Sequence, residues 1–333
     1  MSATPRTASP LAAASAAPAL ATAREPVPRL VWLLLALSLL PFFSSNAFYV
    51  HLAVLVCLNV VIVAGLALIC RTGQLPLGHG AFVGLGAYAA VIATTKAGWP
   101  FWIAAIGGTL FAALVAFALG WVILRLRGVY FVLVTFAFAE LVRLVMLELP
   151  ALTGGANGIA GIAPAELFGF AFDTKLRFYG LALVCAVACM AFLRRLCATP
   201  TGHAFDAVNE NAALAEASGL NVHRIQVKAF VLGSGIAGFG GALLAHYVGF
   251  VSPESFNISL SIAVVVMLVI GGRQSVWGPL AGALILTPLP ELLRGAVQTQ
   301  HIFYGAALIL ILHFLPGGVV SLAARWRQRR EAR

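Results

Sequence analysis

Residues 30–70 contain no Asp, Glu, Lys or Arg. A helix needs about 20 apolar residues to cross a hydrocarbon core of about 30 Å, so this run has room for two crossings, with a turn at residues 41–46. The pattern recurs. Residues 72–95 and 97–124 are also free of these charges, and 128–149 is apolar but holds Glu140, Arg143 and Glu148. Apolar runs at 178–193, 229–253, 255–272, 274–290 and 295–324 complete the set. None alternates with a period of two over nine or more residues, as a barrel strand does. Only 10% of the 333 residues are charged against 61% hydrophobic, too few to coat water-soluble domains of that length. The spacing predicts an all-α, polytopic integral membrane protein with about ten transmembrane helices. Its membrane domain covers residues 30–324.

Lys and Arg set the orientation. With the N-terminus inside and ten crossings, 16 of the 21 Lys and Arg fall in inner loops and tails. Lys96, Lys175, Arg177 and Arg294 fall outside, and Arg143 lies within a span. Both termini are thus expected in the cytoplasm of a bacterial plasma (inner) membrane. The formal charge of +10 then faces anionic membrane lipid and calls for no nucleic acid. Residues 1–29 are Ala, Pro, Ser and Thr with few bulky apolar side chains. Their best apolar stretch, 11–22, is too weak for a signal peptide, so they read as a disordered cytoplasmic extension. Residues 325–333 form a basic cytoplasmic tail. Cys185 and Cys189 stand one helical turn apart without His or carboxylate neighbours, which points to packing rather than to a metal.

Three segments are rich in glycine. In the first, Gly73, Gln74, Gly78, His79, Gly80 and Gly84 fall within residues 73–86. Small residues four apart, as at Gly80 and Gly84, let membrane helices approach closely. Pro76 lacks a backbone donor, so the start of this span is expected to be bent or non-helical. Irregular backbone at membrane depth needs protein or a wet cavity around it. Tight packing and a lining of a transport path are both open here. The other clusters span 233–241 and 271–282, and the Gln74–Gly78 spacing recurs at Gln274–Gly278. Glu140 and Arg143 sit one turn apart within a span, where charge is costly unless paired. They are expected to form an ion pair facing the bundle interior. Gly154 and Gly155 belong to an outward, turn-rich stretch at 152–159 whose backbone amides are free for a partner or solute.

Residues 194–228 form the longest polar stretch after the N-terminal extension. Thr199 or Thr201 can open a helix there and Gly219 can close it. Ala204, Ala207, Val208, Ala212 and Ala215 give it a small-residue face, with Asp206, Glu210 and Glu216 elsewhere. An acidic, alanine-rich helix suits a groove on a cytoplasmic partner better than an anionic membrane surface. The chain has no nucleotide loop of its own: none of its three lysines follows glycine, as a Walker A motif requires. It has no HExxH, no GxSxG and no Cys/His metal set, which argues against an enzyme.

The order of these segments resembles LivM-type permease subunits of branched-chain amino-acid ABC importers. The residues that carry the resemblance are Gly73-Gln-Leu-Pro-Leu-Gly-His-Gly-Ala-Phe, Leu126-Arg-Gly-Val-Tyr-Phe, Leu152-Thr-Gly-Gly-Ala-Asn-Gly-Ile and Ala207-Val-Asn-Glu-Asn. Ala229-Phe, Ile270-Gly-Gly, Ser275-Val-Trp-Gly-Pro, Pro290-Glu and Phe314-Leu-Pro-Gly-Gly follow in order. The resemblance implies a LivH-like sister permease, two ATPase subunits that bind ATP and Mg, and a periplasmic solute-binding protein. It places the ATPase-coupling positions on Glu210, Glu216, Ala217 and Gly219. This chain departs from the family in having Asn209 for Arg, Ala212 for Glu, Pro76 for Ser and Gln274 for Gly. Relatives also carry urea, short amides and aromatic acids. A competing class is an ion-coupled secondary transporter with His79, Glu140 and Arg143 as its relay; the acidic cytoplasmic helix separates the two, because a secondary transporter needs no docking element.

Overall fold

A computed structural model of the chain describes residues 46–126, 128–167 and 169–292. Its helices are α1 (Ala47–Cys70), α2 (His79–Thr95), α3 (Phe101–Ile123), α4 (Val129–Glu148), α5 (Pro150–Thr153) and α6 (Lys175–Cys197). They continue as α7 (Pro200–Glu210), α8 (Ala212–Ala217), α9 (Val222–Val248), α10 (Ile258–Gly271), α11 (Gly278–Leu286) and α12 (Pro288–Leu292). Two-residue strands make two small antiparallel pairs, β1 (Ile159–Ala160) with β4 (Phe250–Val251) and β2 (Glu166–Leu167) with β3 (Phe170–Ala171). Among the described residues six helical segments are long and apolar enough to cross a membrane: Ala47–Cys70, Phe101–Ile123, Val129–Glu148, Lys175–Cys197, Val222–Val248 and Pro253–Gly271. The shorter apolar helices are His79–Thr95 and Gly278–Pro290. The chain is a polytopic, mainly α-helical protein. The first expected crossing within 30–70, the one at 295–324, the extension 1–29 and the tail 325–333 lie outside the described residues.

The polar stretch at 194–228 is shorter than its charges suggest. α6 runs through Arg194 and Arg195 to Cys197, and cations in a last turn favour the negative end of the helix. α9 opens at Val222 because the Asn221 side chain accepts the Arg224 N–H at 2.9 Å. Only residues 198–221 remain between the two. The single helix expected there is two. Asn211 is extended, with φ −155°, and its side chain accepts the Leu214 N–H at 3.0 Å, ending α7 and capping α8.

α9 is the central helix, and its glycines let three neighbours close on it. A β-carbon on Gly233 would lie 2.4 Å from the Gly65 carbonyl oxygen on α1, and one on Gly241 would lie 2.0 Å from that of Val83 on α2. One on Gly86 would lie 2.2 Å from the Gly238 Cα, and one on Gly108 of α3 would lie 2.5 Å from the Gly86 carbonyl. Backbone meets backbone at each site, the arrangement small residues permit between membrane helices. α10 and α11 pair the same way, through Gly271 with Gly278 and Gly282 with Met267. Gly78 and Gly278, the recurring spacing, each stand at the start of a short helix that follows a break. Phe82, Phe131 and Phe230 fill the space beside these crossings. The outer faces of α3 and α4 show Leu110, Leu114, Tyr130 and Leu133, side chains suited to lipid or to another membrane subunit.

Candidate functional site

The first glycine segment is a break between helices. After Cys70 the chain turns through Thr72 and Gly73, the latter with φ +81°, and helix resumes only at His79. The break follows from Pro76, which cannot donate to a helix. The freed backbone finds protein instead. The Leu77 N–H donates to Thr135 Oγ1 at 3.2 Å, and a β-carbon on Gly78 would meet the Thr135 carbonyl at 2.3 Å. Thr135 is the seventh residue of α4, roughly 9 Å along it at 1.5 Å per residue. α2 therefore begins deep in the bundle rather than at its end. The Gly80 N–H donates to Ser261 Oγ on α10 at 2.9 Å, and Gly84 packs on the Phe256 ring. Gln74 is buried. His79 is fully buried, and its Nε2 donates to the Ile62 carbonyl at 3.0 Å.

Glu140 and Arg143 bond each other one turn apart on α4, and Arg143 also bonds Glu254 on the turn Pro253–Phe256. The pair does not face the interior of the described bundle: 40% of the Glu140 side chain is exposed. α4 is peripheral, so its charged positions flank an outer face, and the third group arrives from a segment more than 100 residues away. Among the described residues no hydrogen bond joins His79 to Glu140 or Arg143, so the relay of the secondary-transporter reading is not assembled. Arg143→Met leaves two carboxylates without a cation in a membrane segment. It is expected to lower the unfolding midpoint in detergent more than Glu254→Gln, which leaves the Glu140–Arg143 pair intact. Equal midpoints for the two variants contradict this.

The stretch at 152–159 is a built turn, not a loose connector. Thr153 Oγ1 donates to the Met146 carbonyl and accepts the Gly155 N–H. A β-carbon on Gly154 would lie 2.0 Å from the Gly158 carbonyl, and Gly155 packs on Pro150. Lys96 Nζ donates to the Ala151 and Leu152 carbonyls.

The α7–α8 hairpin is held at the opposite end of the bundle. Thr199 caps α7 and Pro200 takes its first position. Gly202 presses on the backbone of Leu196 and Cys197, where a β-carbon would lie 2.4 Å from the Leu196 carbonyl. Phe205 is fully buried, and Val208, Ala215 and Val222 form a small core under the hairpin. Glu210, Glu216, Ala217 and Gly219 are all exposed. Gly219, at φ +88°, ends α8, with the Leu220 N–H donating to the Ala215 carbonyl at 3.0 Å. Glu216 lines a cavity of about 230 Å³ with Arg125, Val222, His223 and Gln226. Arg71 joins the hairpin to the first break. Its Nε and Nη2 donate to the two Asp206 oxygens at 2.8 and 3.0 Å. Burial opposes the Arg71 charge, but Cys197 and Asp206 outweigh it and hold its pKa above the usual guanidinium value. Gly73 packs on Asn209, whose Oδ1 would lie 3.1 Å from an added β-carbon.

Among the described residues no group of three or more His, Cys, Asp or Glu could hold a metal, and the five cysteines form no disulfide. The arrangement is that of helices broken inside a membrane bundle with a polar hairpin at one end. Residues 48–312 match the family described as branched-chain amino acid transport system / permease component. The chain belongs to that family. This permease is 33% identical over 306 residues to the high-affinity branched-chain amino acid transport system permease protein LivM of Escherichia coli K12, covering 85% of this chain and 72% of that protein. It is 23% identical over 246 residues to a probable LivM of Methanocaldococcus jannaschii, covering 66% of this chain and 70% of that protein. A match to LivH of Salmonella typhimurium, at 29% over 122 residues, covers 36% of this chain and 39% of that protein. No solved structure matches. As a permease component, the chain is a transmembrane subunit rather than an enzyme.

Several residues of this site carried no usable sequence signal. Arg71 and Asp206 are 135 positions apart, and Gly80 and Ser261 are 181 apart. Phe205 was legible as the one large apolar residue within 200–210, but a face defined by small residues passes over it.

Proposed function

We propose that this permease is one of two membrane subunits of an ATP-driven importer of branched-chain amino acids, fed by a periplasmic solute-binding protein. The names of its LivM and LivH relatives support the solute and a paired LivH-like sister subunit. ATP and Mg belong to two separate ATPase subunits. The observation that carries this reading is the α7–α8 hairpin, packed firmly on its own bundle while Glu210, Glu216, Ala217 and Gly219 stay exposed to a partner. The Lys/Arg distribution supports ten crossings of a bacterial inner membrane with this hairpin and both termini in the cytoplasm. In that frame residues 1–29 and 325–333 are cytoplasmic ends of a permease domain at 30–324. Gly73, Gln74, Gly78, His79, Gly80 and Gly84, with Gly154 and Gly155 on the outer side, pack the helices along the transport path. The Glu140–Arg143 pair flanks the α4 face.

Two measurements test the reading. In a Cys-free background, an impermeant thiol reagent added outside is expected to label Ala156→Cys and to spare Glu210→Cys; the reverse pattern overturns the topology. In proteoliposomes holding both permeases, the ATPases and the binding protein, leucine uptake is expected to require ATP. Uptake driven by an ion gradient without ATPase subunits contradicts the mechanism, and ATP-driven uptake of urea, a short amide or an aromatic acid in place of leucine contradicts the solute.

A further inference from the structure

We propose that the Arg71–Asp206 pair is the joint through which the α7–α8 hairpin moves the broken start of α2, so that these two positioning residues convert ATPase motion into an opening of the membrane bundle. The inference rests on reading α7–α8 as the ATPase-docking segment and adds to it the route by which docking is felt.

Asp206 and Asn209 stand three residues apart on α7, hence on one face of that helix. Together they grip two residues of the α1–α2 connection. Asp206 takes Arg71 through two hydrogen bonds, and Asn209 lies against Gly73. A bidentate pair fixes orientation as well as distance. The Arg71 side of the pair is sheltered, at 15% exposed, while 38% of the Asp206 side chain is open to water. Asp206 also neighbours the fully buried Phe205, so α7 cannot roll without carrying the pair.

The connection beyond Gly73 is short and engaged. Residues 74–78 are non-helical, and their far end is held by Thr135 of α4 through the Leu77 N–H and the Gly78 backbone. Two residues later Gly80 is bonded to Ser261 of α10. A displacement of α7 therefore reaches α4 through the non-helical residues 74–78, and α10 at Gly80 just beyond them, rather than through the length of a helix. Elsewhere the hairpin is anchored on its own bundle, by Gly202 against Leu196 and Cys197, by the buried Phe205 and by the small core it shares with Val222. Without the pair, the hairpin keeps its own small core and its anchorage on Leu196 and Cys197. It can still dock, but the pull then reaches Gly73 only through the packing of Asn209.

The test uses the whole complex in proteoliposomes, with leucine uptake and ATP turnover measured on the same vesicles. Asp206→Asn preserves shape and one acceptor but removes the charge. The expected result is normal assembly, continued ATP turnover, and a fall of about tenfold in solute moved per ATP hydrolysed. The exchange Arg71→Asp with Asp206→Arg is expected to recover much of that ratio. An unchanged ratio in Asp206→Asn overturns the proposal, and so does a complex that fails to assemble, since the pair is then only a strut. Trapping of Glu210→Cys to a cysteine in the ATPase, with the pair intact, tests docking separately. Failure of trapping removes the docking assignment, whereas trapping with an unchanged ratio in Asp206→Asn removes the joint alone.

Discussion

Gly86→Leu is expected to abolish the folded, membrane-inserted protein, while Gly107→Ala on the neighbouring helix is expected to leave it unchanged or slightly stabilised. Gly86 lies where α2, α3 and α9 cross. A β-carbon there would sit 2.2 Å from the Gly238 Cα and 2.3 Å from the Gly238 carbonyl oxygen, and neither atom can swing aside as a side chain does. Relief requires α2 and α9 to separate, which also opens the contact of Gly241 with Val83. Overpacking a core costs about 1–3 kcal/mol even where side chains can adjust, against a total stability of about 5–15 kcal/mol. Forced backbone separation at a three-helix crossing exceeds that range. At Gly107 the nearest group is the Trp99 ring, 3.9 Å from an added β-carbon, and alanine there removes the entropic penalty of a mid-helix glycine. Size-exclusion profiles in detergent and thermal midpoints for the two variants decide the matter. A monodisperse Gly86→Leu protein with an unshifted midpoint contradicts the packing described.

Gly219→Val is expected to abolish uptake while insertion into the membrane and folding of the bundle persist. No atom lies within 4 Å of a β-carbon added at Gly219, so space is not the obstacle. The obstacle is φ +88°, a left-handed conformation that costs an L-residue roughly 1–2 kcal/mol and a β-branched residue more. The chain relieves the strain by abandoning the turn, and the end of α8 with Glu216 and Ala217 is then misplaced on the exposed face. Gly219→Asn, which tolerates this conformation, is expected to retain most uptake. Glu210→Lys reverses the charge of the same face and is expected to lose solute-stimulated ATP hydrolysis. Normal stimulated hydrolysis in both Gly219→Val and Glu210→Lys contradicts docking through the hairpin.

These two variants also divide what is legible in the sequence from what is not. Gly219 is legible. A glycine closing an alanine-rich run after a capping threonine marks a helix end by local chemistry, and the structure places it in the left-handed region. Most of the apolar helices between residues 47 and 290 are legible for the same reason. A charge in hydrocarbon is costly wherever the chain folds, so charge-free runs mark helices without knowledge of their neighbours. The break before His79 follows from Pro76 alone. The family followed from an ordered set of short segments, each weak by itself.

Gly86 is not legible in this way. The sequence separates it from Gly238 by 152 residues, and nothing distinguishes it from Gly107, which touches almost nothing. A small residue states that close approach is possible, not that a neighbour comes. The same holds for charge. Glu140 and Arg143 are one turn apart and pair by geometry internal to a helix, but Glu254 joins them only because the turn before α10 lies against α4. Arg71 finds Asp206, rather than another carboxylate, because Gly202 folds α7 back onto the end of α6. By itself the sequence determined most of where the chain is helical, the break before His79 and which family it joins, since these depend on the solvent around each segment and on bonds within a few residues. Tertiary structure decided which glycines carry a neighbouring backbone and which charges meet, since those depend on how helices far apart in sequence pack against one another.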